Sequence, residues 1–338
     1  MNIQDKLKEL KKSWKNLGKE VFILITKFEV KNMTTDDRIT FGQDLDCDYL
    51  YKSDGIDWGS ASATHNTYNY PGQVGVSIYS SKINERDISI IGWVYYILTE
   101  KEKKSLNRKK WDEYAYSKIK NKKDILSGVF NPVDIIRITT GGYYIEGKPS
   151  TSVKYGNTEE ENNIYFCKFM VNIYCNNPMF KKETIVKKAL SGDIPAFSFP
   201  FVLAPYGVVF GTRKDYLTLV VENEGNVAIG GRIILKSKGN VVNPSITNIE
   251  TCEKIKINKT MSAGEEIIIT TVDGSERGIV GNIGGIKENY LRYWNFKNKW
   301  LKFQKGTSLI EYATDNQSES QLEVIIEINP EKYNLEEM

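Results

Sequence analysis

Histidine, the side chain on which most nucleophilic catalysis depends, occurs once in this sequence, at His65. A serine or cysteine nucleophile needs a neighbouring base, and imidazole is the usual one. His65 lies in a segment of small and polar residues, Ser60–Tyr68, which contains no G-x-S-x-G nucleophile elbow. We therefore interpret His65 as an exposed or hydrogen-bonded strand residue, with a catalytic role as the weaker alternative.

The cysteines and glycines do not follow the known patterns of metal and phosphate sites. Cys47, Cys167, Cys175 and Cys252 form no C-x-x-C pair, whereas zinc sites need such ligand spacing. We expect these cysteines to be buried apolar residues. A phosphate cradle requires a helix directly after its glycines. The glycine-rich segment 278–285 has no helix-like sequence after it. We predict a loop at this segment, and neither a cofactor nor a metal in the protein.

Composition excludes further classes of function. The 338 residues have a formal net charge of +3, which gives no overall attraction to nucleic acid or to an anionic membrane. No apolar run approaches the roughly 20 residues that span a bilayer. The first residues lack the apolar region of a secretory signal, so we expect folding in a cytoplasm. The 43 acidic residues allow a glycosidase pair of carboxylates, but no local pattern identifies one.

Strands are the elements that this sequence favours most strongly. It contains 20 Tyr, 13 Phe and 26 Gly, a composition typical of strands and tight turns. In the first half we predict a turn-rich stretch at 44–57, with Asp54-Gly55 as its turn. Strands are predicted there at 21–30, 38–41, 75–80, 87–98 and 164–175. The strand at 87–98 is long and largely apolar, so we expect it to be central or buried on both faces.

Two helical segments interrupt this pattern. Residues 4–17 place Leu7, Leu10, Trp14 and Leu17 on one face, which predicts an amphipathic helix within residues 1–18. This helix packs on its own domain or serves as an arm that docks on a neighbouring subunit. Residues 101–123 contain ten basic and three acidic residues. We interpret this basic helical insert as a solvated face, with an acidic protein partner and then DNA as alternatives.

The chain after residue 206 consists of short strands separated by turn signals, a pattern typical of a β-sandwich. Three prolines within 181–205 indicate a connection between domains, which we place at 191–205. The end of the chain, 311–338, has eight acidic residues and one lysine. We expect one of two arrangements: the acidic end contacts the basic insert of a neighbouring subunit, or the acidic end and the basic insert are separate solvated surfaces. The strands are predicted at 216–222, 231–236, 245–248, 254–257, 265–271, 307–313 and 322–328.

The order of several short motifs over about 300 residues resembles the distal tail protein (Dit) family of phages and phage-tail-like particles from Gram-positive hosts. Each motif is weak alone. In the first half they are Ile39-Thr-Phe-Gly42, Tyr70-Pro-Gly-Gln-Val-Gly75, Asn84–Gly92, Phe130-Asn-Pro132, Gly141–Gly147 and Phe169–Phe180. In the second half they are Asn223–Asn226, Asn243–Asn248, Lys254–Asn258, Met261–Ile269, Trp300–Gly306 and Ser308–Ala313.

The resemblance implies a mainly β protein with two domains. The first, at 19–190, is a ring-forming β-barrel related to tail-tube proteins and carries the helical insert 101–123. The second, at 206–338, is a galectin-like β-sandwich. The family has no catalytic residues, so none is assigned. Residues 1–18 and the length of the insert depart from the family pattern.

The resemblance also implies a function and partners. Six copies form a hexameric ring that joins the tail tube to the baseplate or tail tip of a phage or tail-like bacteriocin. The expected partners are the tail tube protein, a central hub, spike or tail-fibre protein, and other baseplate proteins, with no specific nucleic acid and no membrane. Because DNA must pass the ring, we predict that the lysines of the insert face outward. Assembly would take place in the bacterial host cytoplasm.

Two other classes of function remain as alternatives. A carbohydrate-binding sandwich would need exposed aromatic side chains on one sheet face. The best candidates are Tyr290, Tyr293, Trp294, Phe296 and Trp300, which cluster in the sequence and which core or loop packing also explains. A glycoside hydrolase is the third class.

Overall fold

A computed structural model describes residues 27–44, 46–107, 110–190, 193–195, 211–213, 218–273, 277–295 and 299–335. The predicted helix within 1–18 lies outside these residues, as do the start of the predicted strand 21–30 and most of the predicted connection 191–205. The fold is mainly β, as predicted.

The chain forms two compact units. The first contains the residues up to Phe180 and the end of the chain from Tyr333, and the second runs from Lys181 to Lys332. The chain therefore passes from the first unit to the second and then returns.

The described residues of the first unit form ten strands and two helices. The strands are β1 (Lys27–Asn32), β2 (Arg38–Gly42), β3 (Tyr49–Asp57), β4 (Ala63–Tyr68), β5 (Ser77–Ile83), β6 (Arg86–Tyr95), β7 (Ile136–Thr140), β8 (Tyr143–Pro149), β9 (Lys154–Tyr155) and β10 (Phe166–Cys175). The helices are α1 (Glu100–Ser105) and α2 (Trp111–Val129).

Seven of these strands close into a barrel in the order β8-β7-β1-β2-β3-β6-β10, with β10 paired to β8. Six of the seven pairings are antiparallel, and β2 with β3 is parallel. This single exception follows from parity. Each antiparallel neighbour reverses the strand direction, so a closed ring needs an even number of reversals, and seven strands can close only with a parallel pair.

The barrel core is filled by side chains at alternate positions along the strands. On β10, Cys167, Phe169, Val171, Ile173 and Cys175 are all buried, which is the alternation expected of the strand predicted at 164–175. The partner strand β6 pairs with β10 over ten positions and is central in the sheet order, as predicted. Most of its outward residues are half-buried or exposed, so of the two predicted alternatives the structure shows the central position and not burial on both faces.

Helix α2 contributes to the same core through Ile119, Leu126 and Val129. Buried or part-buried polar groups attach it to the barrel. Tyr49 Oη donates to Lys122 O at 2.8 Å, and Asn32 Nδ2 donates to Val129 O at 3.2 Å. The predicted helical insert is thus two helices, the second of which extends to Val129. Arg108 and Lys109 lie outside the described residues.

The end of the chain returns to a buried arginine. Arg86 is only 1% exposed and donates through Nη2 to the carbonyl oxygen of Tyr333 and, at 3.4 Å, to Asn334 Oδ1. Its guanidinium lies 4.8 Å from the centre of the Phe180 ring. Burial lowers the pKa of Arg86. Leu335 packs against the core of the first unit, so the end of the chain is part of that unit.

In the part of the second unit that the structure describes, the elements are strands and two short 3₁₀ turns, Leu291–Tyr293 and Glu319–Gln321. Its strands are β11 (Phe180–Lys182, which begins on the last residue of the first unit), β12 (Val186–Leu190), β13 (Asp193–Pro195), β14 (Gly211–Arg213), β15 (Thr218–Asn223), β16 (Gly231–Ser237), β17 (Val241–Val242), β18 (Ser245–Asn248), β19 (Lys254–Lys256), β20 (Thr260–Met261), β21 (Glu266–Thr270), β22 (Gly278–Ile283), β23 (Ile286–Asn289), β24 (Gly306–Ala313), β25 (Leu322–Ile328) and β26 (Glu331–Lys332).

Two antiparallel sheets dominate this unit. The larger has the order β12-β25-β16-β21-β22-β23, and the smaller β15-β24-β18-β19. Buried residues alternate along strands of both sheets, as the predicted sandwich requires. The division after residues 180 and 332 differs from the predicted domain limits, 19–190 and 206–338, which stay predictions.

Two turn and loop predictions were wrong. The stretch 44–57 contains β3, and Asp54-Gly55 lies at a register shift between Tyr51 and Ile56 rather than at a chain reversal. The segment 278–285 is β22 followed by the Gly284-Gly285 turn. The Tyr290 ring packs directly on Gly281 of β22, which explains the glycine there. A Cβ at this position would lie 1.9 Å from Tyr290 Cε2.

Candidate assembly surfaces

His65 lies on β4 and is exposed. Its Nδ1 is 2.8 Å from Ser81 Oγ on the paired strand β5. Among the hydrogen bonds of the described residues, none joins this ring to a carboxylate. A serine–imidazole pair without an orienting acid on a fully exposed hairpin lacks the supports of a catalytic triad. The structure thus agrees with the interpretation of His65 as a hydrogen-bonded strand residue.

Three of the cysteines match the prediction of burial and one does not. Cys47, Cys167 and Cys175 are buried, whereas Cys252 is exposed. Burial raises the pKa of the Cys175 thiol to about 12. Cys252 follows a turn closed by the Asn248 side chain and has a φ of 57°, so the needs of the turn override the preference of cysteine for the core.

Within the ranges that the structure describes, His, Cys, Asp and Glu form no group able to hold a metal ion. The helices in those ranges are also too short or too polar to cross a membrane.

Strands β4 and β5 form a separate two-stranded sheet outside the barrel. We call residues 60–84 the exposed hairpin. Every residue of β4 is exposed, and Ser77 is the only half-buried residue of β5. Its apolar side chains are open to solvent: Tyr68, Tyr70, Val74, Val76, Ile78, Tyr79 and Ile83. Sequence reasoning predicted a strand at 75–80 but missed this surface. The scarcity of charged residues could have indicated this surface, because Lys82 is the only charged residue in the 25-residue segment.

A second surface with exposed apolar side chains lies on the outside of the barrel, where β6 and β10 pair; the same face also carries Asp87, opposite Tyr174, and Lys168, opposite Trp93. We call it the barrel wall and define it by the outward side chains of Ile91, Trp93, Phe166, Met170 and Tyr174. Met170 is paired with Ile91, and the Trp93 and Phe166 rings meet edge to face at 5.4 Å. Met170 is 37% and Tyr174 is 44% exposed. Apolar side chains in this arrangement mark a candidate contact surface.

Several lysines of the basic insert have partners within the unit. Lys103 Nζ lies 2.7 Å from Glu100 Oε1. Lys122 donates to Asp48 O at 2.8 Å and its Nζ lies 4.8 Å from the centre of the Tyr95 ring. Burial lowers the pKa of Lys122. Lys123 donates to Asn162 Oδ1 at 3.1 Å. The contacts of Lys122 and Lys123 anchor α2, and Lys103 pairs within α1, so only part of the predicted basic face is a free surface.

The acidic end of the chain also has local partners in the second unit. Asp315 accepts from Lys256 at 2.8 Å, which lowers the pKa of Asp315. Glu327 lies 3.1 Å from Lys187 and 3.3 Å from Arg232. A contact between this acidic end and a neighbour's basic insert stays a prediction.

The aromatic cluster proposed for carbohydrate binding is divided. Tyr290 and Trp294 are 2% and 7% exposed, so these two rings belong to the core of the second unit. Tyr293 and Trp300 are half-buried, and Phe296 lies outside the described residues. Trp300 packs on Trp294 with 4.3 Å between ring centres. The cluster is therefore mostly internal packing rather than an open stacking platform for sugars.

The barrel, its helical insert and the two further sheets define a Dit-like fold. The SPP1 Dit protein, described as a paradigm of hub adsorption apparatus in phages that infect Gram-positive bacteria, has a similar structure with a TM-score of 0.57 and 12% identity. The match covers 90% of this chain and 98% of SPP1 Dit. At that identity the likeness establishes the fold.

Two baseplate structures of phage P2 in its activated conformation also match, with lower scores. The calcium form has a TM-score of 0.40 at 13% identity, and the strontium form 0.39 at 11%. Each match covers 89% of this chain and 97% of the matched chain. No family model matches the sequence, and no curated protein matches it.

Proposed function

We propose that this chain is a distal tail protein of the Dit family and a structural, non-enzymatic part of a phage tail tip or baseplate. The observation that carries this proposal is the similarity to SPP1 Dit over 90% of this chain and 98% of that protein. A match over nearly the whole of both chains includes the barrel and the additional sheets together. The order of sequence motifs gives independent support, since it depends on the amino-acid sequence alone.

In this proposal six copies form a ring that joins the tail tube to the tail tip or baseplate of a phage or tail-like bacteriocin with a Gram-positive host. The barrel forms the ring, and the second unit is the galectin-like sandwich outside it. The partners are the tail tube protein, a central hub, spike or fibre, and other baseplate proteins. Assembly takes place in the host cytoplasm, and the lysines of the insert face away from the DNA channel.

The surfaces described above support an assembling protein over an enzyme. The exposed hairpin has apolar side chains that no part of the described chain covers. The one histidine has a hydroxyl partner on that same hairpin. Exposed apolar surface of this kind is typical of protein–protein contact.

Native mass spectrometry of the full chain, followed by averaged electron images, tests the proposal. We expect a six-subunit mass and ring-shaped particles with a central channel. A monomer at all concentrations up to the solubility limit, in the presence or absence of a tail tube protein, contradicts the proposal.

A further inference from the structure

Exposed apolar side chains cluster at the end of the barrel where β1 turns into β2. Met33, Val133 and Ile135 are 39%, 76% and 45% exposed. Met33 N donates to Ile135 O at 2.9 Å, so the β1–β2 turn and the loop after α2 lie side by side. Pro132 is exposed in the same loop, and Ile125, about one turn before the end of α2, is 45% exposed. We call these five residues the apolar platform.

The buried side chain of Asn32 holds the parts of the platform together. Its Nδ2 donates to Val129 O at 3.2 Å and to Asp134 Oδ2 at 3.1 Å. Its Oδ1 accepts from Thr34 N at 2.8 Å. The turn, the loop and the end of α2 are thus tied to one side chain. The platform is therefore a fixed surface that no part of the described chain covers, which makes it a candidate docking surface.

The charge around the platform indicates its occupant. The two segments that carry it, 32–37 and 124–135, contain four aspartates and no lysine or arginine. Asp36 pairs with Lys31, and the other three aspartates lie in no ion pair that the described residues form. A partner with an apolar centre and basic borders is complementary to such a surface.

The chain itself contains a segment of this kind, the amphipathic helix predicted at 4–17, which lies outside the described residues. Its three leucines and Trp14 form the apolar stripe. Successive residues of a helix advance by about 100° around the axis. This places Lys6 and Lys11 at the two borders of the stripe, and the two acidic residues of the segment on the opposite side. The predicted helix therefore has an apolar centre with lysine borders.

The length of the chain before β1 favours a platform on the same copy. Residues 18–26 join the predicted helix to Lys27 and span at most about 30 Å. The platform lies at the far end of β1, about 17 Å from Lys27. This path requires the chain to turn back before Lys27 instead of continuing the strand predicted from residue 21. The platform of another copy is further away by the separation of the two barrels.

We propose that the N-terminal helix, residues 4–17, docks on the apolar platform of its own barrel. The apolar stripe covers Val133 and Ile135, and the lysines at its borders face the aspartates. Isolated helices shorter than about 12–15 residues are marginal in water, so the platform supplies the packing that this segment needs. The inference does not rest on the proposed ring, because both surfaces belong to one chain.

Disulfide trapping within the full chain tests this contact. The exposed Cys252 is first replaced by serine, which leaves three buried cysteines. Leu10→Cys and Val133→Cys are then combined in that background. We expect oxidation to give a disulfide within the monomer, seen as a cross-linked peptide and as faster migration in a non-reducing gel. The matched control combines Glu9→Cys with Val133→Cys and should give no such disulfide, because Glu9 lies opposite the stripe.

Amide hydrogen exchange gives a second readout. Because a helix of this length is marginal alone, slow exchange in residues 4–17 requires the contact. Val133→Glu should speed this exchange at least about tenfold, since it places a charge under the apolar stripe. The control is Ile286→Glu, at a position 77% exposed in the second unit, which should leave the exchange unchanged. Circular dichroism verifies that each variant is folded.

The outcomes separate this inference from the proposed function. A disulfide between two chains, in place of one within the chain, overturns the assignment to the same barrel. Equal trapping through Glu9→Cys overturns docking by the apolar stripe. Exchange in residues 4–17 that is already fast in the unmodified chain, or that stays slow in Val133→Glu, overturns the contact itself. Each of these results leaves the proposed ring intact, since native mass spectrometry tests the ring by itself.

Discussion

At the scale of single residues, the packing of Gly281 against Tyr290 gives a direct test of the second unit. Gly281→Ala puts a Cβ into the space of a buried ring, 1.9 Å from Tyr290 Cε2. We expect the free energy of unfolding to fall by about 1–3 kcal/mol, as overpacking usually costs. Gly278→Ala on the same strand is the control, because a Cβ there meets nothing within 4 Å. Urea unfolding measures both, and equal losses would contradict the explanation.

The cysteines give a second test at this scale. Cys252 is exposed and the other three are buried, and burial raises the pKa of Cys175 to about 12. Since the thiolate is the reactive form, we expect one thiol to react with a disulfide reagent in the native protein and four in denaturant. Cys252→Ser should remove the native reaction. Fast native reaction of more than one thiol would show that the barrel core opens readily.

At the scale of elements, the start of α1 has a pH-dependent cap. Glu102 Oε2 accepts from Thr99 N and Oγ1, both at 2.8 Å, and Oε1 accepts from Tyr96 Oη at 2.6 Å. The hydrogen bond from Tyr96 is the largest cause that lowers the pKa of Glu102 from 4.5 to about 2. A lowered folded-state pKa gives stability that is present above pH 4.5 and is lost as the pH falls toward 2.

Glu102→Gln should therefore flatten the dependence of unfolding free energy on pH between 4.5 and about 2. Glu113→Gln, at an exposed position on α2, is the control and should leave the slope unchanged. Urea titrations at a series of pH values measure both slopes. An unchanged slope in Glu102→Gln would mean that the cap is formed in the unfolded chain too or is absent.

The hairpin can also be tested as an element. Asn84 N donates to Ser62 O at 2.9 Å, so residues 63–83 can be replaced by two glycines without moving the barrel. Because the removed residues are almost all exposed, we expect the thermal unfolding midpoint of the remaining protein to stay within about 3 °C. Calorimetry measures this midpoint, and a large fall would mean that the hairpin supports its own barrel.

Elements with strict alternation were predictable from the sequence, and elements shaped by distant neighbours were not. The limits of β18 and β25 were predicted without error. In β25 the buried Leu322, Val324, Ile326 and Ile328 lie on one face, and Glu323 and Glu327 on the other are half-buried. Strand β3 was missed because Asp54-Gly55 has the composition of a turn and lies at a register shift. Gly281 is explained by Tyr290, a contact that the local sequence does not reveal. The exposed hairpin and the barrel wall were not predicted as surfaces, because the solvent exposure of a side chain depends on the whole fold.

At the scale of the whole molecule, the return of the chain end to the first unit predicts an effect at a distance in sequence. Truncation after Lys332 removes the acceptors Tyr333 O and Asn334 Oδ1 from buried Arg86. The bond from Arg86 Nη1 to Trp58 O, at 3.5 Å, remains. A buried cation that loses two of its acceptors destabilises a fold by several kcal/mol. We expect faster amide exchange in β6 and β10 and unchanged exchange in β16 and β25. Equal effects in both units would contradict this role of the chain end.

The parity of the barrel has a mechanical consequence. The parallel pair β2 and β3 is joined over only two positions, Phe41 with Tyr49 and Gly42 with Leu50, whereas β6 and β10 share ten. The closing pair β8 and β10 is equally short, with Ile173 opposite Pro149 and Tyr174 opposite Lys148. Force applied around the circumference therefore concentrates on these two short seams, where few hydrogen bonds resist separation. The barrel is expected to open first along one of them, and the long β6–β10 pairing is expected to separate last.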